Sequence, residues 1–355
     1  MKQRLIHALQ KKTIDSPPIW MMRQAGRYLP EYRNIRQQFP DFVSFCFHQE
    51  AVVEVTLQPL RRFNHLDAAI LFSDILILPH LMGCPVHFAQ GEGPQFQQPI
   101  QTESAVDDLK KLNPSDLSPI LNSIKSIKNE IAHHQALIGF IGTPWTVAAY
   151  MVEGSASRHF RHLKILTHKN PDLLTALLEK LTQASADYLI MQAQAGADAL
   201  MLFDSWASLL NPEDYQKFSL QYVKKIIKKV RLSYPNIPII YFAKGVDPYL
   251  EMMPSAGMDA LGLDWSSSID QAFHRTGHQV ALQGNLDPMI LFNKPDHIKQ
   301  AVKKIIQDVN GRPGYIFNLG HGIDRDTPIE HVHIMIESVR KYHQEFSEKG
   351  GRHGL

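Results

Sequence analysis

Residues 23–33 read RQAGRYLPEYR, placing Arg23, Arg27 and Arg33 around one glycine and one proline just after the apolar run PIWMM (18–22). A guanidinium is a planar fork of donors that matches a carboxylate and keeps its charge at any working pH. Arg23 and Arg27 beside a strand end therefore form a natural clamp for a polycarboxylate. Gly26 between them lets backbone N–H groups approach a ligand. The alternative is surface pairing with Glu31 and Glu50, which stabilises little. In FSDIL (72–76) Asp74 follows the apolar AAILF. It is either a poorly hydrated carboxylate that stabilises adjacent positive charge, or a cap for the next helix.

Three more stretches carry usable groups. GFIGTPWTVAAYMVEG (139–154) leaves a strand and enters a helix, with Thr143 as N-cap and Pro144 at the first helical position. Such a start aims free N–H groups at anions. Tyr150, two turns in, either lends its hydroxyl to a ligand or is a core aromatic. FDSW (203–206) offers the hydroxyl of Ser205, a weak signal alone. NLGHG (318–322) flanks His321 with glycines that leave its ring room to reach a ligand, although a loop histidine without a role would look the same.

Positioning these groups requires a scaffold that brings distant segments together. Eight apolar runs of strand length recur: 18–22, 68–72, 137–141, 199–203, 237–243, 260–263, 280–283 and 315–319. They are continuous rather than alternating, as in strands buried on both faces of a parallel sheet. Helical patterns lie between them, such as 171–196 with Gly196 placed to end it. The runs lead into Arg23, Asp74, Thr143, Asp204 and Ser205, Lys244, Asp264, Asn285 and His321. The expectation is an α/β fold, a single-domain (β/α)₈ TIM-type barrel over residues 1–345, with these groups at its C-terminal mouth. Residues 346–355 are expected to be a disordered tail. GEGPQFQQPIQTESAVDDL (91–109) reads as an insertion between early strands. An open doubly wound sheet would normally carry a glycine-rich phosphate loop, and neither G-x-G-x-x-G nor a P-loop occurs.

Composition excludes several classes. With 37 basic and 35 acidic residues, a net charge of +2 provides no field for nucleic acid or an anionic membrane, so anion recognition must be local. No eighteen-residue apolar stretch occurs, and the polar N-terminus lacks a signal peptide's apolar core, so a cytoplasmic protein is expected. Two cysteines, Cys46 and Cys84, fit a reducing compartment. Neither lies in ligand spacing with any of the 18 histidines, so no metal site is expected.

Taken together, PIWMMRQAGRYLPEYR, FSDIL, GFIGTPWTVAAYMVEG, FDSWA and NLGHGI, in this order, resemble the uroporphyrinogen decarboxylase family, and the resemblance spans nearly the whole chain. It implies a TIM-type barrel, usually homodimeric, that uses neither metal nor organic cofactor. The implied reaction converts the four acetate arms of uroporphyrinogen III to methyl groups, giving coproporphyrinogen III and carbon dioxide in haem biosynthesis. By the resemblance, Arg23, Gln24, Ala25, Gly26 and Arg27 bind substrate carboxylates. Asp74 accepts from the pyrrole N–H groups and stabilises a cationic intermediate, and Tyr150, Ser205 and His321 complete the pocket. Arg36 is a further candidate. Ile141 and Ser155 depart from the family pattern, outside the implied site. Two other readings stand beside this one: a cobalamin-linked methyltransferase of the same superfamily, which needs a zinc–thiolate site, and a non-catalytic tetrapyrrole binder.

Overall fold

Seven of the eight apolar runs form strands of one curled parallel sheet in a mixed α/β architecture. The computed structural model describes residues 3–89 and 93–350. Nine strands occur among them: β1 (Ala68–Ile70), β2 (Val86–Ala89), β3 (Gly93–Phe96), β4 (Ala136–Gly142), β5 (Ala199–Asp204), β6 (Ile239–Ala243), β7 (Ala260–Gly262), β8 (Ala281–Leu286) and β9 (Tyr315–Leu319). The parallel sheet runs β1-β4-β5-β6-β7-β8-β9, sequential except for the hairpin β2-β3 inserted after β1. That hairpin is antiparallel, with Val86 opposite Phe96. The tip of the expected insertion, residues 90–92, lies outside the described residues. Every residue of β4, β6 and β9 is buried, as continuous apolar runs covered on both faces require.

The eighth run, 18–22, is not a regular strand. Ile19 makes one isolated parallel bridge to Phe317 of β9. Pro17 and Pro18 have no N–H to give a ladder, and the N–H of Ile19 goes to the Asp67 carboxylate at 2.7 Å. Residues 18–20 nevertheless bond on two sides. The Phe317 N–H reaches Pro18 O at 2.9 Å, and the Asp67 N–H, just before β1, reaches Ile19 O at 2.8 Å. Trp20 is fully buried, and its indole N–H donates to Gln283 Oε1 of β8 at 2.9 Å.

Helix ends follow their local chemistry. Thr143 caps Pro144–Glu153 by accepting from the Thr146 N–H, and Gly154 ends that helix at φ 84°. Asn170 caps Pro171–Ala195, which Gly196 ends at φ 116°. The last helix runs Ile329–Gly350; the rest of the expected tail, 351–355, lies outside the described residues. No helix among the described residues is long and apolar enough to cross a membrane.

Asp67 ties the N-terminal segment to the last helix. It is 3% exposed and takes Arg340 Nη2 at 2.5 Å and Arg4 Nη1 at 3.1 Å. Arg340 also donates to Ser16 Oγ at 2.8 Å and Pro17 O at 2.7 Å. Removing the carboxylate leaves Arg340 without its acid and the Ile19 N–H without its acceptor, while Arg4 keeps its pair with Asp15. Asp67→Ala should therefore lower the unfolding free energy by about 3–5 kcal/mol, measured by urea denaturation. A loss below about 1 kcal/mol would mean that the segment is held by its apolar packing instead.

Candidate active site

The chain turns sharply after Trp20. Gln24 N–H closes on Met21 O at 3.1 Å, and Arg23 takes the left-handed conformation at φ 61°, which costs an ordinary residue about 1–2 kcal/mol. Gln24 offsets this cost. Fully buried, it accepts from the Met21 N–H and donates to Ala68 O of β1, both at 3.1 Å, while its own carbonyl accepts from the Tyr28 hydroxyl at 2.9 Å. Its side chain therefore anchors the turn to the sheet. Ala25 and Gly26 are partly exposed beyond it. A Cβ on Gly26 would stand 2.9 Å from Arg23 O, so the tight turn already demands glycine.

Arg23 and Arg27 are exposed, and neither guanidinium has a hydrogen bond or ion pair among the described residues. The surface partners considered above are engaged elsewhere: Glu31 holds Arg62 at 2.6 Å, and Glu50 faces His48 at 3.4 Å. Arg33 donates to Arg27 O at 2.6 Å, so it supports the turn. Arg36 donates to Phe39 O at 2.8 Å and lies 6.0 Å over the rings of Phe42 and Phe45, occupied in packing.

Asp74 lies past the C-terminal end of β1 and is half-buried. One oxygen accepts from the Leu76 N–H at 2.8 Å, just before the short helix Ile77–Leu81, whose N-cap Leu76 has no side-chain cap, so Asp74 is not the helix cap considered above. Its second oxygen has no hydrogen bond among the described residues. Burial pushes this carboxyl above the ordinary range, and the Leu76 N–H and the Arg23 cation oppose that rise. Arg23 and Asp74 thus share a field without forming an ion pair. Asp74 and Arg23 also act, with opposite signs, on the Tyr150 phenol, which burial raises most. Asp74 and Arg27 act likewise on Tyr32. Arg23, Arg27, Asp74, Tyr32 and Tyr150 are therefore one electrostatic neighbourhood built from segments far apart in sequence.

Tyr150 is half-buried, edge-on to Phe160 and Trp206 with ring centroids 6.0 Å away in each case. Ser205 follows β5, and its hydroxyl makes no hydrogen bond among the described residues. His321 follows β9 and packs its ring 6.0 Å from Phe242. Burial first, and then the cations Arg23 and Lys244, hold its imidazole down at about 4 against the opposing pull of Asp264. The flanking glycines serve packing more than ligand approach. A Cβ on Gly322 would stand 2.7 Å from Arg23 Cγ, and one on Gly320 would stand 2.5 Å from Trp265 N.

Sequence reasoning assigned no role to Asp204, the last residue of β5. It is fully buried and accepts from Thr146 Oγ1 at 2.7 Å, Tyr241 OH at 3.0 Å and Ser219 Oγ. Thr146 Oγ1 in turn accepts from the Trp206 N–H at 3.2 Å, and the Trp145 indole donates to Trp206 O at 2.9 Å. This network fixes the segment that carries Ser205 and Trp206.

Among the described residues no three His, Cys, Asp or Glu side chains form a group suited to a metal ion. Cys46 and Cys84 are free and buried.

Comparison with known proteins adds independent information. The family model described as uroporphyrinogen decarboxylase (URO-D) matches residues 1–342. A uroporphyrinogen decarboxylase of Pseudoalteromonas translucida is 46% identical over 348 residues, covering 96% of this chain and 98% of the relative. One from Methylococcus capsulatus is also 46% identical over 348 residues, covering 98% and 99%. Among solved structures, a methyltransferase from Methanosarcina mazei superposes with a TM-score of 0.78 at 22% identity, covering 96% of this chain and 98% of its own, a likeness of fold alone. With its family model matched almost end to end and its relatives near half identical, this chain belongs to the uroporphyrinogen decarboxylase family.

Proposed function

We propose that this protein is a cofactor-independent carboxy-lyase that converts the four acetate arms of uroporphyrinogen III to methyl groups in porphyrin biosynthesis. The observation that carries the reading is the neighbourhood of Asp74: a half-buried carboxylate in the field of Arg23, with one oxygen free of hydrogen bonds, and two arginines, Arg23 and Arg27, whose guanidinium groups have no hydrogen bond or ion pair among the described residues. A macrocycle with eight carboxylates and four inward-turned pyrrole N–H groups complements that arrangement. Near-half identity to curated relatives bearing this name supports the same activity.

The chemistry follows from the substrate. Protonation of a pyrrole ring carbon makes a cationic electron sink. The C–C bond to the acetate carboxylate then breaks, its electron pair neutralises the ring, and carbon dioxide leaves. Protonation of the resulting exocyclic methylene makes the methyl group, and loss of the proton first added to the ring carbon restores the neutral aromatic pyrrole. Asp74 accepts hydrogen bonds from the pyrrole N–H groups and stabilises the ring cation, an interaction stronger in the transition state than in the ground state. Arg23 and Arg27 hold carboxylate arms, and Tyr150, Ser205 and a neutral His321 supply polar contacts around the ring. Gln24 contributes by fixing the turn, and Ala25 and Gly26 contribute through their backbone. An arginine is a poor acid, so the ring proton comes from water or a substrate carboxyl.

The same reading takes the fold to be a single-domain (β/α)₈ barrel over residues 1–345, closed by the segment 18–22 acting as its eighth strand, and the assembly to be a cytoplasmic homodimer. The bonds of residues 18–20 on two sides favour closure. A zinc–thiolate transferase needs clustered thiolate donors, and the two cysteines are buried apart from any such group among the described residues. A passive carrier would keep the arginine clamp but could dispense with Asp74.

Anaerobic incubation with uroporphyrinogen, followed by oxidation and chromatographic counting of carboxylates, should yield the tetracarboxylate product. Recovery of unchanged octacarboxylate would make the protein a carrier. Asp74→Asn should keep the fold and most of the binding yet lower kcat by about 10²–10³-fold. Near wild-type turnover in that variant contradicts the electrostatic role.

His321 provides a pH readout. The unfolded chain protonates this ring near 6.5 and the folded protein only near 4, so the unfolded state binds the extra proton throughout that window. The contribution to stability is complete above about 6.5 and falls as the pH drops towards 4. Imidazole NMR should show His321 neutral down to pH 5.5, and a midpoint at or above 6 would place the ring in open solvent.

A further inference from the structure

Lys244 follows β6 directly, is half-buried, and belongs to none of the residues assigned above. Its ammonium has no hydrogen bond or ion pair among the described residues; its one recorded partner is the Trp265 ring, with Nζ 5.4 Å from the centroid. The carboxylate that shares its surroundings is already committed. Asp264 accepts from the Ser266 N–H at 2.8 Å, from the Gly245 N–H at 2.5 Å and from the Ser266 hydroxyl at 2.5 Å. Trp265 itself is 44% exposed, an unusual state for so large an apolar ring.

Two observations turn this pair towards the mouth. Gly320 lies so close to the Asp264–Trp265 backbone that a Cβ there would stand 2.5 Å from Trp265 N and 3.0 Å from Asp264 C. The loop carrying His321 thus rests on the backbone that carries Trp265. Lys244 and Arg23 also both act on the His321 ring. His321 therefore sits in the chain between two glycines, one seated on Arg23 and the other on the residues beside Lys244. A cation that close to a ligand site, with the neighbouring Asp264 engaged elsewhere, is suited to an anionic ligand.

We infer that Lys244 is a third carboxylate-binding cation of the site, holding one arm of the macrocycle on the β6–β7 side while Trp265 keeps its side chain aimed. This rests on the reading of the substrate given above. An ammonium suits this position because it binds a carboxylate as a compact point charge with rotatable donors, whereas the rigid forks of Arg23 and Arg27 fix orientation.

The test uses full-length protein and uroporphyrin, the oxidised octacarboxylate, which binds without reacting. Lys244→Met should weaken its Kd about tenfold at low salt and make binding less salt-dependent, with thermal unfolding unchanged. Lys244→Arg should stay within about threefold of wild type. With uroporphyrinogen, the KM of Lys244→Met should rise by a similar factor while kcat stays within about twofold. Wild-type affinity and KM in Lys244→Met overturn the inference and leave the decarboxylase reading intact. So does a loss of binding that Lys244→Arg does not restore, or one that accompanies a lowered melting temperature. Wild-type protein that neither binds uroporphyrin nor decarboxylates uroporphyrinogen overturns both.

Discussion

Arg23 lies near enough to Asp74 to oppose the rise that burial imposes on its carboxyl, yet the two do not close into an ion pair, and the surrounding structure works to keep them so. A half-buried carboxylate beside a free guanidinium would ordinarily collapse onto it, because charge-assisted hydrogen bonds strengthen as water is excluded. A ligand would then have to break that pair before using either partner. Three features prevent the collapse. The left-handed turn at Arg23 sets the direction of its side chain, Gln24 locks that turn to β1, and the absence of a Cβ at Gly322 leaves a slot for the Arg23 stem. The Leu76 N–H meanwhile holds one oxygen of Asp74.

Polar groups deeper in the sheet serve the same end. The Asp204 carboxylate, surrounded by hydroxyls of Thr146, Ser219 and Tyr241, is raised by burial and stabilised by these donors. Apolar residues of similar size would pack at least as well, since buried charge rarely adds net stability. What the network provides is a single position for Trp206 and, through it, for Ser205. Gln283 does similar work for Trp20 by accepting its indole N–H, and Asn318 does it for Met22 by accepting its backbone N–H at 3.1 Å. The first irregular segment is thus hooked onto β8 and β9 by side chains where the prolines deny it a ladder.

Much of this was legible in the sequence wherever one local rule decided the outcome. The buried parallel strands could be read from continuous apolar runs, and the helix beginning at Pro144 from Thr143 and its proline. The run 18–22 has the composition of a strand, while Pro17, Pro18 and the remote carboxylate of Asp67 limit its regular pairing to one isolated bridge. Gly26, Gly320 and Gly322 were visible as glycines, but their reasons lie in neighbours across the fold: a turn carbonyl, the backbone of Trp265 and the stem of Arg23. Asp204 and Lys244 were visible as strand-end residues and nothing more. Only the closure of hydroxyls around the first, and the engagement of Asp264 beside the second, separate a structural acid from an available cation.

The neutral state of His321 completes the electrostatic argument. Two cations and burial hold it down at about 4, so at neutral pH it adds no positive charge between Arg23 and Lys244. Protonated, it would repel both. Neutral, the imidazole offers one donor and one acceptor to whatever lies between them. On the proposed reading the site separates its tasks by charge: permanent cations for anionic arms, a lone carboxylate for positive charge that develops during reaction, and uncharged Tyr150, Ser205 and His321 for contacts that must not change with either. A scaffold that draws these groups from separate segments of the chain can set these three kinds of environment independently, because each side chain's burial depends on its own surroundings.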